Sequence, residues 1–446
     1  MRRRAMLLGS ALALSLLAAA GGGLVRAQPF DYPSARPATS WANTDASLPH
    51  HATFDDGSVA RAALLRLNPA GLGPSFAFGF FCTNHRRGAG APCADFLLGV
   101  AVVYCNSGAL MTSTVAGIPQ LTKDGDLVLR AAGGAVVWSA GTAGRSVAGL
   151  RIGSDGNLVL FDAGDRPVWQ SFDHPTDTLL VGQSLRPGAR LAANSSAADW
   201  SDSRLYLAVA DDGLGAYVSA APPQRYYHLG FARTAGAFAT YTNGSLTMLA
   251  PPNTTLTAVQ LPPVGAGTVQ YMRLEYDGHL RLYEWRPAGW APVFDVLRVF
   301  PDDCAYPTVC GAYGVCTDMQ CSCPDETSFR LVDFRRPNRG CVPAAPAAPC
   351  GPARRAHRLV SLRGVAYFND HDTSMRTLDS VGEEACKKAC LDDCACKAAQ
   401  FVYGADAAAG FCYLQSEVFS LETSQPEVVH YNSTMHLKVQ VKSPSF

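Results

Sequence analysis

One short phrase is written twice in this chain and echoed a third time, and that repetition constrains the fold more than any other feature. The first copy is Asp124-Gly125-Asp126-Leu127-Val128-Leu129, followed by Trp138. The second is Asp155-Gly156-Asn157-Leu158-Val159-Leu160-Phe161, followed by Trp169 at the same spacing. A looser third copy is Asp277-Gly278-His279-Leu280-Arg281-Leu282-Tyr283, with Trp285 and Trp290 close behind. Asp-Gly before alternating apolar residues is a hairpin signal, because glycine accepts the positive φ of a tight turn. Each copy therefore predicts a turn, a strand, a second turn and a strand ending in Trp. Repeats of this kind are expected to bury their Trp residues against one another and close into an all-β body. The expected fold class is mostly β.

The chain opens with a processing signal. Arg2-Arg3-Arg4 precedes an apolar run from Ala5 to Ala20, and Val25-Arg26-Ala27 fits a small-residue cleavage site. Residues 1–27 are expected to be a signal peptide, and no later stretch is long and apolar enough to span a bilayer. About 420 residues remain, enough for three or four modules. Lys plus Arg total 37, as do Asp plus Glu, with no long basic run. That balance argues against a nucleic-acid partner or an anionic membrane surface. In an exported chain Asn194, Asn243, Asn253 and Asn432 are glycosylation acceptors.

The cysteines are unevenly placed. Cys82, Cys93 and Cys105 come early, and the other twelve of the fifteen lie from Cys304 to Cys412. The shift predicts a boundary near residue 300, beyond which small modules depend on disulfides. Six cysteines at 304–341 permit fifteen connectivities. Zinc ligation is disfavoured in an oxidising compartment. Among the early three, Phe76, Phe78, Phe80 and Cys82 share one face of a strand, and a second strand runs from about Phe96 to Cys105. An antiparallel hairpin sets Cys82 beside Cys93 and leaves Cys105 a strand length away, roughly 30 Å at ~3.3 Å per residue. A disulfide needs Cα atoms within ~7 Å. Cys82–Cys93 is therefore expected, with Cys105 a buried thiol or an intermolecular bridge.

The segment Asp155–Phe161 resembles the signature of bulb-type, mannose-binding lectins, which reads Gln-x-Asp-x-Asn-x-Val-x-Tyr. Its continuation, Val168-Trp169-Gln170-Ser171-Phe172-Asp173-His174-Pro175-Thr176-Asp177-Thr178-Leu179-Leu180, resembles the segment that follows the repeat in plant S-locus glycoproteins and S-domain receptor-like kinases. The resemblance implies a bulb-type lectin-like β-prism at 28–195 and a second, degenerate one at 196–300. Cys310-Gly-Ala-Tyr-Gly-Val-Cys316 with Cys321-Ser-Cys323 resembles an EGF-like module, assigned to 301–342. It implies Cys304–Cys316, Cys310–Cys321 and Cys323–Cys341. Cys386-Lys-Lys-Ala-Cys390 with Cys394, Cys396 and Cys412 resembles a PAN/apple module, assigned to 343–446. It implies Cys386–Cys412 and Cys390–Cys396, which leaves Cys350–Cys394. A helix is predicted here, with Ser380 and Glu383 as a capping box and Glu383 and Glu384 paired to Lys387 and Lys388.

Strand alternation sets Asp155, Asn157, Val159 and Phe161 on one face and Leu158 and Leu160 on the other. The first four are the candidate carbohydrate-binding residues: a carboxylate, an amide and an apolar patch in a row. The sequence departs from the lectin signature at Gly153, where Gln is expected, and at Phe161, where Tyr is expected. Each missing hydrogen bond removes on the order of 1 kcal/mol. The competing reading, favoured by those departures, keeps Asp-Gly-Asn and Asp-Gly-Asp as turn formers. Tyr206, Tyr226, Tyr227, Tyr241, Tyr271 and Tyr283 are expected to be packing residues. No catalytic motif is present, and neither a cofactor nor a metal is expected. The sequence thus predicts a secreted, non-enzymatic recognition glycoprotein binding an extracellular peptide or glycan, with a receptor kinase or a second copy as further partner. A functional mannose-type lectin is the alternative.

Overall fold

The computed structural model describes residues 31–440 apart from 45–46, 49–50, 54–58, 68–74, 83–95, 104–109, 112–117, 132, 197–198, 266–267, 287–288, 299–302, 346–356, 371, 407 and 424–431. The expected signal peptide lies outside these residues. So do Cys93, Cys105 and Cys350, and with them the pairs Cys82–Cys93 and Cys350–Cys394.

All three copies of the repeat make one turn. Gly125, Gly156 and Gly278 have φ of +87°, +85° and +96°, a region that glycine enters without penalty. Their N–H groups donate to the carbonyls of Thr122, Gly153 and Glu275 at 3.1, 3.2 and 2.9 Å. The N–H groups of Thr122, Gly153 and Glu275 in turn donate to Asp126, Asn157 and His279 at 2.8, 2.9 and 2.8 Å. Each turn feeds an inner strand of a four-stranded sheet: Leu127–Arg130, Leu158–Asp162 and Leu280–Arg286. Each inner strand then pairs with the Trp strand that follows it, Val136–Ser139, Pro167–Gln170 or Gly289–Asp295. Their leucines, Leu127, Leu129, Leu158, Leu160, Leu280 and Leu282, are all buried.

Three sheets built from strands up to Gln170 enclose one core, which contains Trp41, Phe76, Phe78, Phe80 and Leu160. In the five-stranded sheet, Ser75–Cys82 pairs antiparallel with Leu97–Val103, from Phe81 opposite Leu97 to Ser75 opposite Val103. The expected hairpin is present, and Cys82, where its first strand enters the connecting loop, is disulfide-bonded. Three further four-stranded sheets enclose a second core. They begin before residue 196: Thr178–Leu180 pairs with Gln270–Leu274 and Ser184–Leu185 with Phe238–Thr242. Tyr226, Tyr227, Tyr241 and Tyr271 are buried, and Tyr206 stacks on Tyr217 at 5.2 Å.

Beyond residue 302 the structure joins Cys304–Cys316, Cys310–Cys321, Cys323–Cys341, Cys386–Cys412 and Cys390–Cys396, with Cα separations of 5.2–5.8 Å. Cys394 is also disulfide-bonded. The helix is Glu383–Asp392, and Cys386 and Cys390 face the sheet with no exposed surface. Its start differs from expectation. Gly382 is the N-cap and no side chain caps it, because Ser380 sits in the strand Leu378–Val381 with a φ of +54°. Lys387 pairs with both Glu383 and Glu384, whereas Lys388 pairs with Asp392. The Glu384–Lys388 pairing is thus replaced by an i,i+3 and a different i,i+4 contact.

The cysteine shift near residue 300 does not break the core. Tyr306, Val315, Phe329, Val365, Tyr367 and Phe419 belong to the same buried cluster as Leu205, Leu214 and Leu282. Val315–Thr317 pairs in parallel with Leu421–Thr423, so the two disulfide-bonded regions share a sheet. Arg225 forms a two-pronged pair with Asp372 at 2.8 and 2.8 Å and reaches Asp212 at 3.0 Å.

Candidate functional site

The candidate row runs along Leu158–Asp162 and the turn before it. Asp155 Oδ1 accepts the Asn157 N–H at 3.0 Å, the turn-forming role expected of Asx residues. The Asn157 amide is used on both sides. Its Nδ2 donates to Gln170 Oε1 at 3.0 Å. Its Oδ1 accepts from the Ser171 hydroxyl at 3.2 Å and the Phe172 N–H at 3.3 Å. Val159 is buried. The Phe161 ring carries the Arg151 guanidinium 4.6 Å from its centroid, and Arg151 is ion-paired with Asp165. A Cβ at Gly153, the missing Gln position, would meet Asp155 Oδ1 at 2.3 Å. A longer side chain there must therefore push the Asp155 carboxylate away from the Asn157 N–H it caps.

The other copies show what Asn157 is for. Asp126 accepts from the Ser139 hydroxyl at 2.6 Å and from the Thr142 N–H at 3.0 Å. His279 Nδ1 meets Asp295 Oδ2 at 2.5 Å. In all three copies the third residue of Asp-Gly-Xaa bonds 13 to 16 residues downstream, at or just past the end of the Trp strand. The position is a clamp that closes each strand–turn–strand unit. A sequence signal for it existed: Asp, Asn and His share hydrogen-bonding capacity there and little else.

Sequence reasoning missed a second feature. A cavity of about 300 Å³ opens where the first set of sheets meets the Trp169–Thr178 segment and the second set. Val100, Val102, Trp138, Trp169, Phe172 and Tyr271 contribute apolar walls. Trp138 and Trp169 meet edge to face at 6.0 Å, and the His174 ring stacks on Trp169 at 5.2 Å. Arg273 stands at one end, 2.9 Å from Asp177 Oδ2 and 3.9 Å from Glu275. Asp177 is buried and also accepts from the Thr178 hydroxyl at 2.9 Å and Asn194 Nδ2 at 3.3 Å. The most specific run in the sequence, residues 168–180, thus builds this junction.

One titratable chain elsewhere has catalytic-looking distances. Ser361 Oγ is 2.8 Å from His436 Nδ1, and His436 Nε2 is 3.2 Å from Glu383 Oε1. Ser361 and His436 are register partners on adjacent antiparallel strands, which accounts for the contact without any chemistry. Burial, then the nearby Lys387, push the imidazole down to about 4, against the opposing pull of Glu383 and Glu384. It is a poor general base. Between pH 6.5 and about 4 the unfolded chain binds a proton here that the native state does not. Native stability should therefore fall as pH drops through that window. Denaturant titrations at pH 7 and pH 4.5 should show the loss, and His436→Gln should reduce it. An unchanged pH dependence in that variant would remove His436 as the cause. Among the described residues no cluster of His, Cys, Asp or Glu could hold a metal, and no helix is long and apolar enough to cross a membrane.

Residues 106–201 match the family model described as D-mannose binding lectin. EP1-like glycoprotein 1 of Arabidopsis thaliana is 30% identical over 61% of this chain and 68% of its own length. The Arabidopsis PAN domain-containing protein At5g03700 is 28% identical over 66% of this chain and 59% of its own. The Arabidopsis G-type lectin S-receptor-like serine/threonine-protein kinase At5g35370 is 26% identical over 73% of this chain, which spans only 39% of the kinase. Paired lectin-type β units with a disulfide-bonded C-terminal region define a lectin-domain protein of the S-domain class. The chain belongs to the plant S-domain lectin family that includes the EP1-like glycoproteins.

Proposed function

We propose that this protein is an extracellular, non-enzymatic recognition glycoprotein in which the mannose-type positions have become architecture. The observation that carries this reading is the Asn157 amide. Its Oδ1 accepts from Ser171 and Phe172 and one Nδ2–H is spent on Gln170, so a sugar hydroxyl is left only the second Nδ2–H unless it displaces a fold contact. Similarity to both glycoproteins and receptor-like kinases supports a role in ligand capture, alone or beside a membrane partner such as a receptor kinase. The second reading, a working mannose lectin, is favoured by the family match and the exposed Asp155. A glycan array decides between them: no signal on mannosides is expected, and strong mannoside binding would overturn the proposal.

Export should leave a glycan pattern that follows exposure. Asn243, Asn253 and Asn432 are exposed, whereas Asn194 is half-buried in a strand and donates to Asp177. Glycopeptide mass mapping of the chain secreted from plant cells should find the first three occupied and Asn194 largely bare. Full occupancy of Asn194 would show that its contact with Asp177 is dispensable.

A further inference from the structure

We propose that the cavity between the two sets of sheets is a binding site for an uncharged, apolar small molecule with an aromatic or branched aliphatic body. This goes beyond the function proposed above and stands whether or not the Asp155 row binds a sugar. The volume, about 300 Å³, lies at the lower end of small-molecule sites, roughly 300–1,000 Å³. Trp138 and Trp169 offer aromatic surface in an edge-to-face pair, and Val100 and Val102 line the same cavity.

Most of the polar atoms at the cavity are already used by the fold, and that decides the ligand class; Arg273 Nε is an exception, 2.9 Å from Asp177 but without a hydrogen bond among the described residues. Ser171 Oγ accepts from the Leu158 N–H at 2.9 Å and donates to Asn157. Gln183 accepts from the Leu180 N–H at 3.1 Å and donates to the Phe172 carbonyl at 3.3 Å. The Thr178 hydroxyl donates to Asp177. A hydroxyl-rich ligand would find few free partners and would lose its water, an unfavourable exchange. One guanidinium faces two carboxylates: Arg273 lies 2.9 Å from Asp177 and 3.9 Å from Glu275, which also accepts the Tyr283 hydroxyl at 2.8 Å. An anionic ligand would therefore gain no unpaired counter-charge, and a cationic one would meet Arg273, which lines the cavity. Shape and apolar contact are what the cavity offers, and an uncharged apolar body is what complements them.

The test uses the full glycosylated chain and the neutral apolar fluorophore N-phenyl-1-naphthylamine. Its emission should rise saturably with one site per chain, and excess mannose should not displace it. Val100→Phe, which fills the cavity, and Trp138→Ala, which removes a wall, should each weaken binding about tenfold or more, a difference of roughly 1.4 kcal/mol. Near-wild-type thermal midpoints would show that the variants are folded. The anionic analogue 1-anilinonaphthalene-8-sulfonate should bind more weakly. The proposal is overturned by an unsaturable signal, by wild-type affinity in both folded variants, or by tighter binding of the anionic probe. Displacement by mannose would instead place the probe at a sugar site and also overturn it.

Discussion

Replacing Asp177 with Ala should destabilise the protein by about 3–5 kcal/mol, the usual result of stripping one partner from a buried ion pair. Asp177 is the hub of the junction between the two sets of sheets. Its carboxylate faces Arg273 at 2.9 Å and collects the Thr178 hydroxyl and the Asn194 amide. Both charged side chains are mostly removed from water, with 6% of Asp177 and 17% of Arg273 exposed. Without Asp177, Arg273 is left with Glu275 at 3.9 Å, which already accepts the Tyr283 hydroxyl. Asp177→Asn keeps the shape and loses the charge, so it should fall between wild type and Ala. Guanidinium unfolding followed by circular dichroism measures this. A loss under about 1 kcal/mol, the range of surface pairs, would mean that water reaches the junction.

Arg225→Ala should cost a similar amount and should also split the unfolding transition. Its guanidinium is 9% exposed and grips Asp372, itself 7% exposed, through two parallel hydrogen bonds of 2.8 Å. Paired geometry of that kind is specific to arginine, so Arg225→Lys should recover little. The contact joins the second prism to the C-terminal region, alongside Tyr367, whose hydroxyl donates to Gln224 Oε1 at 2.9 Å. Among the described residues Asp372 would keep only its turn contacts to Ser374. Calorimetry should show one cooperative transition in the wild type and a separate, earlier one in the variant. A single unshifted peak in Arg225→Ala would show that the shared apolar core alone holds the regions together.

The repeat was legible because its information is local. Asp-Gly sets the turn, alternation sets the buried leucines, and the structure builds all three copies alike. The clamp was legible only in its own residue, a hydrogen-bonding side chain in every copy, and not in its partner. Alternation gives the face on which Asn157 stands but not which residue 13 to 15 positions on will return to meet it. The cavity was less legible still, since Val100, Trp138, Trp169 and Tyr271 come together only through packing between sheets. Ser380 misled for a related reason: the Ser-x-x-Glu spacing is present, but Ser380 lies in the register shift between Leu378 and Val381, at positive φ. The cysteine boundary is real as composition, yet Tyr306 and Phe419 carry the prism core across it.

Titration of the full chain with α-methyl mannoside, followed by saturation-transfer NMR, tests the central claim most directly. The expected result is no transfer at millimolar sugar, either in the wild type or in Gly153→Gln/Phe161→Tyr. In that variant the new Gln displaces the Asp155 carboxylate while Asn157 stays clamped. Clear transfer in the wild type that is lost in Asp155→Ala would contradict the claim, because it would mean that the Asp155–Phe161 row still binds sugar while it holds the fold.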